Sequence, residues 1–195
     1  MAAVAHCSAC AAVDFGQEAA SADARELAHW ALETQDTGRR HFLIVDKKDA
    51  RVYVFRPDGR LLAASPALLG SARGDHSVPG VGLRAQTGQV APEERTTPAG
   101  RFLTQPGRNL TGEHVVWMDY ASAFAIHRVR AGTSYAARLR RLASATPDDN
   151  RVSLGCVVVP EAFYEGVIEP LLGRFRAVVY VMPEMQPARD LFGAM

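Results

Sequence analysis

The chain has 195 residues, of which 48% are hydrophobic, and its formal net charge is +1. This length suits one ordinary domain, or one domain with a short extension, and the apolar content is that of a globular protein with a core. The near-zero net charge argues against a broad electrostatic surface for duplex nucleic acid, so we expect no nucleic-acid partner. No run of about 18 apolar residues occurs, so we also expect no transmembrane segment.

Residues 1–13 are small and apolar but lack the positive start and the length of a secretory signal. Ala9-Cys10-Ala11 nevertheless has the small-x-small form of a cleavage site. The segment is therefore either the remnant of an export signal or an unstructured start, and both readings stay open. Cys7 and Cys10 form a CxxC pair with no second pair of cysteines or histidines to complete a zinc site, so we expect no metal there. A disulfide or a redox role for the pair stays open.

Residues 1–40 are predicted to be an N-terminal extension with one short helix over 21–32. Ser21 is a suitable N-cap, and Leu27, Trp30 and Ala31 form an apolar stripe at helical spacing.

From residue 41 the apolar pattern changes to a period of two, which is typical of strands. The predicted strands are 41–45, 50–55, 60–65, 101–104, 113–118, 123–127, 152–159 and 176–182. Helices are predicted over 135–142 and 160–172, and a glycine-rich stretch over 70–100 is long enough to be functional. The composition of elements indicates a mostly β (α+β) domain over 41–185, with two or three flanking helices and a tail over 186–195.

Cys156 is the cysteine to which the sequence draws attention. A cysteine in an apolar strand is usually a small buried side chain, and that interpretation stays open. Ser153 and Gly155, however, are poor strand formers and predict a bend just before the thiol. A bend of this kind lets backbone N–H groups converge on an oxyanion, which is a large contribution to acyl-transfer catalysis.

A free thiol has a pKa of about 8.5 and needs a neighbouring imidazole to take its proton. Of the six histidines, His127 closes the apolar run 123–126, where a strand can deliver a side chain to the rim of a sheet. Spacing alone does not bring His127 to Cys156, and a structural histidine fits the pattern equally well.

Three motifs occur in chain order: Thr96-Thr97-Pro98-Ala99-Gly100-Arg101-Phe102, Ala125-Ile126-His127 and Ser153-Leu154-Gly155-Cys156. Together they resemble the L,D-transpeptidase (YkuD-type) catalytic domain over roughly residues 41–184. The resemblance implies a β-sandwich-like catalytic fold. It also implies site roles: Cys156 as nucleophile, His127 as general base, the backbone of Gly155 and Cys156 as oxyanion donors, and Ser153 as a residue that orients the site.

The implied reaction is peptidoglycan L,D-transpeptidation. The cysteine forms an acyl-enzyme from a stem tetrapeptide, the terminal D-alanine leaves, and an amine acceptor takes the acyl group. The alternatives are an L,D-carboxypeptidase or endopeptidase with water as acceptor, and a non-catalytic wall-binding domain. The resemblance further implies a periplasmic or cell-envelope location, stem peptides as partners, and no cofactor.

The sequence departs from the family pattern in three places. Leu154 replaces the usual motif histidine, Val157-Val158-Val159 replaces residues that are often polar, and the 29 positions between His127 and Cys156 are more than usual. Helix 135–142 fills that gap. Its arginines, 138, 140 and 141, are expected to form a solvated face, with contact to an anionic wall polymer as the alternative.

Two further residues are candidate substrate contacts. They are His76, in the glycine-rich stretch, and Arg128, next to the proposed base.

Overall fold

The computed structural model describes residues 13–193. The possible export signal and the Cys7–Cys10 pair lie outside the described residues.

The described chain contains eleven strands and several short helices. The strands are β1 (Phe42–Asp46), β2 (Arg51–Phe55), β3 (Leu61–Pro66), β4 (Leu69–Gly70), β5 (Gly100–Leu103), β6 (Gln105–Arg108), β7 (His114–Asp119), β8 (Phe124–Arg128), β9 (Arg151–Ser153), β10 (Val157–Val159) and β11 (Val178–Val181). The α-helices are α1 (Ala22–Glu33), α2 (Val81–Thr87), α3 (Tyr135–Leu142), α4 (Glu161–Phe163), α5 (Glu169–Leu171) and α6 (Ala188–Phe192). A π-helical turn, Tyr164–Ile168, joins α4 to α5, and 3-10 turns cover Pro92–Glu94 and Pro147–Asn150.

Two sheets face each other across the main core. One has five strands in the order β3-β2-β1-β11-β5, the other has four in the order β10-β8-β7-β6, and β4 pairs with β9 in a small third sheet. Two of the neighbouring pairs are parallel, β1 with β11 and β10 with β8, whereas the remaining pairs within the two larger sheets are antiparallel. The expected mostly β (α+β), sandwich-like architecture is confirmed.

The main core lies between the two sheets, because alternate residues of each strand point inward. The five-stranded sheet contributes aliphatic side chains from β1, β2 and β11, and the four-stranded sheet contributes them from β7, β8 and β10. The helical segment after β10 closes one end of this core with Tyr164, Ile168 and Leu172.

The outer face of the five-stranded sheet is covered by α1 and α6. Leu27 and Ala31 of α1 are fully buried there, and Phe192 of α6 packs partly buried against the same cluster. Ser21 caps α1 by accepting a hydrogen bond from the Ala24 N–H at 3.1 Å. The described part of the N-terminal extension and the C-terminal tail therefore both pack on the domain.

The outer face of the four-stranded sheet carries a smaller apolar cluster. Val158 of β10, Val129 just after β8 and Leu142 of α3 are buried in it, and Cys156 packs against it. This face, partly covered by α3, is the one on which the candidate nucleophile lies.

Several predicted elements need adjustment. The predicted strand 152–159 is two strands, β9 and β10, separated by a bend over 154–156. The glycine-rich stretch contains the short helix α2, and the tail contains α6, neither of which the pattern had predicted. Within residues 13–193 no helix is both long and apolar enough to cross a bilayer.

Candidate active site

The bend between β9 and β10 is closed by one hydroxyl group. Ser153 Oγ accepts a hydrogen bond from the Gly155 N–H at 3.0 Å and donates one to the Cys156 carbonyl at 2.7 Å. The bend therefore holds Cys156 at the entry to β10. It also corrects one expectation: the Gly155 N–H is occupied by Ser153 and is not available as an oxyanion donor. The Cys156 N–H donates to no acceptor among residues 13–193.

The turn before β5 supports the same bend from the other side. Thr97 is fully buried, and its Oγ1 donates to the Gly155 carbonyl at 2.9 Å while accepting from the Gly70 N–H at 2.8 Å. Gly155 adopts a φ of +133°, and a Cβ there would lie 2.7 Å from the Thr96 carbonyl oxygen. Only glycine satisfies both the backbone angle and this close approach.

Replacement of Gly155 by alanine is expected to lower the free energy of unfolding by about 2–4 kcal/mol, because strained backbone and overpacking each cost about 1–3 kcal/mol. Urea unfolding measures this value. Gly166→Ala is the matched control, since nothing lies within 4 Å of a Cβ at that position. Equal stability of the two variants would show that the Thr96 contact does not constrain the bend.

Strand pairing places His127 on the same face as the candidate nucleophile. In the parallel register of β8 and β10, His127 lies opposite Val158, and Cys156 precedes Val158 by two residues. Side chains two apart on a strand share a face, so the thiol and the imidazole both project from the outer face of this sheet.

The tautomer of His127 follows from its one hydrogen bond. Its Nδ1 lies 2.8 Å from the Arg128 carbonyl oxygen, which only accepts, so Nδ1 carries the proton. Nε2 of the neutral ring is therefore left with a lone pair, which is the form that a general base requires.

The thiol itself is half-buried. Cys156 Sγ donates to the Ala123 carbonyl oxygen at 3.4 Å, and in the described part of the chain no hydrogen bond joins it to His127. Both side chains nevertheless line one cavity of about 330 Å³. Transfer of the thiol proton to His127 thus requires Sγ to turn away from Ala123, as occurs in sites whose catalytic contacts tighten only when substrate binds.

Both groups of this pair are uncharged at neutral pH in the resting state. Burial, helped by the positive charge of Arg130, lowers the pKa of His127 to about 4. Burial also raises the pKa of the Cys156 thiol, and the Ala125 backbone amide and Arg130 offset this only in part. The neutral form of the pair is therefore favoured, and formation of the thiolate requires a proton to pass from Cys156 to His127.

The lowered pKa of His127 predicts a pH-dependent loss of stability. The unfolded chain takes up a proton on His127 near pH 6.5 and the folded chain only near pH 4, so folding weakens as the pH falls through this window. At pH 4 the shifted pKa of His127 has lowered the free energy of unfolding by about 3 kcal/mol relative to neutral pH. We expect the unfolding free energy of the native chain to fall by that much more than that of a His127→Asn variant between pH 7 and pH 4. Parallel curves for the two proteins would contradict the assigned burial of the imidazole.

The cavity is bounded by segments that are distant in sequence. Its walls are formed by α2, the turn between β6 and β7, the chain around β8, α3 and the bend that carries Cys156. Leu154, in place of the motif histidine, lies on this wall and is 40% exposed. The rim includes two strongly exposed apolar side chains, Leu110 and Tyr120.

Neither predicted substrate contact is part of the cavity wall. The His76 side chain is exposed, and its backbone carbonyl accepts a hydrogen bond from Thr96. Arg128 alternates with His127 along β8 and so points to the opposite face, where it lies 3.6 Å from Glu161 and 3.7 Å from Glu165. The structure thus gives neither side chain a place in this cavity, and both assignments stay predictions.

Three arginines line the cavity instead. They are Arg108, at the end of β6, which donates to the Gly112 carbonyl, Arg130, just after β8, and Arg138, on α3. The expectation that the arginines of α3 form one solvated face therefore does not hold for Arg138.

A buried ionic cluster holds the Thr97 turn in place. Lys47 is fully buried, and its Nζ donates to Asp75 Oδ1 at 2.6 Å, to the Gly74 carbonyl at 2.7 Å and to the Thr97 carbonyl at 2.8 Å. Asp75 in turn accepts from the backbone N–H of Glu184 at 2.9 Å. The ammonium group thus ties the turn behind Cys156 to two other segments.

Asp75 therefore has a structural partner rather than a substrate or a metal. Burial alone would raise the pKa of Asp75, but the bonds from Lys47, Glu184 and Met185 outweigh it and hold the pKa below its usual range. Among residues 13–193 no group of three or more His, Cys, Asp and Glu side chains is arranged to hold a metal ion.

The chain is similar in fold to solved L,D-transpeptidases. The L,D-transpeptidase from Xylanimonas cellulosilytica DSM 15894 is 14% identical, with a TM-score of 0.43, and the match covers 73% of this chain and 60% of that one. The L,D-transpeptidase from Mycobacterium smegmatis is 16% identical, with a TM-score of 0.40 and coverage of 73% and 58%. The chain thus spans about 60% of the length of these two structures.

A third similar structure is the catalytic domain of the E. faecium L,D-transpeptidase. It is 17% identical, with a TM-score of 0.38, and the match covers 74% of this chain and 98% of that domain. No protein-family model and no curated protein matches the sequence.

Proposed function

We propose that this chain is a cysteine acyltransferase of the L,D-transpeptidase type, acting on peptidoglycan stem peptides. The observation that supports the proposal is the placement of Cys156 and His127 on one sheet face, in one cavity. The unprotonated Nε2 of His127 and the free N–H of Cys156 complete the groups that acyl transfer needs.

The reaction would proceed in two steps. In the first, Cys156 Sγ attacks the carbonyl at the L-centre of the stem's diamino acid while its proton passes to His127 Nε2. The oxyanion develops next to the Cys156 N–H, and the leaving D-alanine amine takes the proton from His127 as the C–N bond breaks. In the second, an acceptor amine attacks the thioester and gives its proton to His127. The C–S bond then breaks, and His127 returns that proton to Cys156 Sγ.

The proposed substrate places the protein in the periplasm or cell envelope, with a role in cell-wall biogenesis and cell shape.

The proposal is tested by incubating the protein with purified disaccharide tetrapeptide and analysing the products by mass spectrometry. Release of D-alanine together with a cross-linked dimer is the expected result. Release of D-alanine with a tripeptide product and no dimer would replace the transferase by a carboxypeptidase with the same residues. No release would contradict catalysis and leave a wall-binding domain. Protein pretreated with iodoacetamide serves as the control.

A further inference from the structure

The cavity that holds Cys156 contains more positive charge than its own carboxylates neutralise. Arg138 makes no ion pair and no side-chain hydrogen bond with any residue from 13 to 193. Arg130 is paired only through Nε, which lies 2.7 Å from Glu113 Oε2, and its two terminal nitrogens have no partner in that same part of the chain.

The carboxylate on the cavity wall is already neutralised. Glu94 accepts two hydrogen bonds from Arg84, at 2.9 Å and 2.7 Å, in a bidentate pair. It therefore does not neutralise the guanidinium groups of Arg130 and Arg138. Besides Arg108, the cavity thus has two cations, Arg130 and Arg138, with donors that bond to no residue from 13 to 193, and it is complementary to an anion supplied by the ligand.

These two cations lie close to the reacting groups. The positive charges of Arg130 and Arg138 both contribute to the lowered pKa of His127, and Arg130 also acts on the pKa of Cys156. Both guanidinium groups also line the cavity that Cys156 and His127 line, so an anion bound by them would lie in the same cavity as the bond that Cys156 attacks.

The bend itself offers no cation. The three residues after Cys156 are valines, all buried, so the strand that carries the nucleophile cannot bind an acidic group. The positive charge comes instead from the ends of β6 and β8 and from α3, which occupies the long gap between His127 and Cys156.

We infer that Arg130 and Arg138 form a subsite that binds a free carboxylate of the acyl donor next to the scissile bond. The inference rests on the proposed function for its choice of ligand. Guanidinium groups bind carboxylates through paired N–H donors, and the donor N–H groups of Arg138 are unused. The acid is either the terminal carboxylate of the leaving residue or the side-chain carboxylate of the residue that is acylated.

Alkylation of Cys156 tests the subsite without any peptide substrate. Iodoacetate carries a carboxylate and iodoacetamide does not, and the rates are followed on the Cys156 peptide by mass spectrometry. For Cys156 in the native chain, the ratio of the iodoacetate rate to the iodoacetamide rate is expected to be higher than the same ratio for free cysteine. Arg138→Gln should reduce that selectivity roughly 10-fold, since a hydrogen bond to a charged group is worth 1.5 kcal/mol or more.

The helix supplies a matched control. Arg140 is exposed and outside the cavity, so Arg140→Gln removes the same charge and should keep the selectivity. An equal loss of iodoacetate selectivity in Arg138→Gln and Arg140→Gln would indicate that the overall positive potential of the helix, rather than a subsite, attracts the anion, and it would overturn the inference. Unchanged selectivity in Arg138→Gln would overturn it as well. Arg138→Lys, which keeps the charge but not the paired donors, should recover the selectivity only in part.

Donor peptides identify the source of the carboxylate. Amidation of the terminal carboxylate, or of the side-chain carboxylate, should lower kcat/KM roughly 10-fold for the native chain and have little effect in Arg138→Gln. Whichever amide shows this pattern identifies the bound group, and no effect from either overturns the inference. Iodoacetate selectivity with no peptide turnover would contradict the proposed function while supporting the anion subsite.

Discussion

Replacement of Cys156 by alanine is expected to lower the rate of D-alanine release from the stem tetrapeptide by about 10^4-fold or more, the scale found when a covalent nucleophile is removed. The fold should be kept. Cys156 is half-buried, and within residues 13–193 its thiol donates one hydrogen bond, to the Ala123 carbonyl oxygen at 3.4 Å.

Cys156→Ser is the matched variant for this prediction. It preserves a side chain of similar shape, but the hydroxyl is far less acidic than the thiol, so the activity should fall by a similar factor. Circular dichroism confirms that both variants are folded. An alanine variant that kept a tenth of the native rate would exclude Cys156 as the nucleophile.

Replacement of Lys47 by methionine is expected to cost about 3–5 kcal/mol of unfolding free energy, because it leaves the buried carboxylate of Asp75 without its cation, whereas Glu184 keeps its ion pair with Arg151. Lys47 Nζ lies 2.6 Å from Asp75 and 3.5 Å from Glu184, and the side chains of Lys47 and Glu184 have no exposed surface. Methionine fills the space of the alkyl chain but makes none of these bonds. Urea unfolding at pH 7 measures the loss.

The neighbouring lysine gives a direct control. Lys48 pairs with Asp23 at 3.3 Å, with both side chains more than 40% exposed, so Lys48→Met should change stability by less than about 1 kcal/mol. The Lys47 variant should also lose activity, because Lys47 holds the carbonyl of Thr97 behind the bend at Cys156. Similar unfolding curves for the two variants would contradict the role given to the buried cluster.

Regular elements of this fold could be predicted because their patterns are local. Helix α3 has the predicted bounds, and Ser21 caps α1 as its position indicated. The strands β1 and β2 lie within a residue of the predicted segments, since alternating or continuous apolar residues with β-branched side chains specify a strand without reference to the rest of the chain.

The bend at the nucleophile could be predicted only in part. Ser153 and Gly155 indicated that the backbone turns before Cys156. The identity of the groups that hold it could not be predicted, because Thr97 reaches the bend from 58 residues away. The apolar run on both sides therefore suggested one strand where the chain forms two.

The arginines show how strand alternation refines a prediction made from sequence. Arg128 directly follows His127, but adjacent residues of a strand point to opposite faces, so its side chain lies away from that of the histidine. Arg138 was one of three arginines named on α3, with contact to an anionic polymer as the alternative, but helical spacing does not reveal which of the three faces the cavity. The burial of Lys47 within a polar turn was likewise beyond the sequence, since its hydrogen-bond partners are 27 or more residues away.

The most direct test of the account is the mass of the intact protein after incubation with a carbapenem, followed by peptide mapping. A strained β-lactam amide acylates a competent thiolate without a leaving group, so the adduct carries the full mass of the drug. We expect one adduct, on the peptide that contains Cys156, formed much more slowly in a folded His127→Ala variant. A folded native protein with no adduct, or with an adduct on another residue, would contradict the assignment of Cys156 and His127 as an acyl-transfer pair.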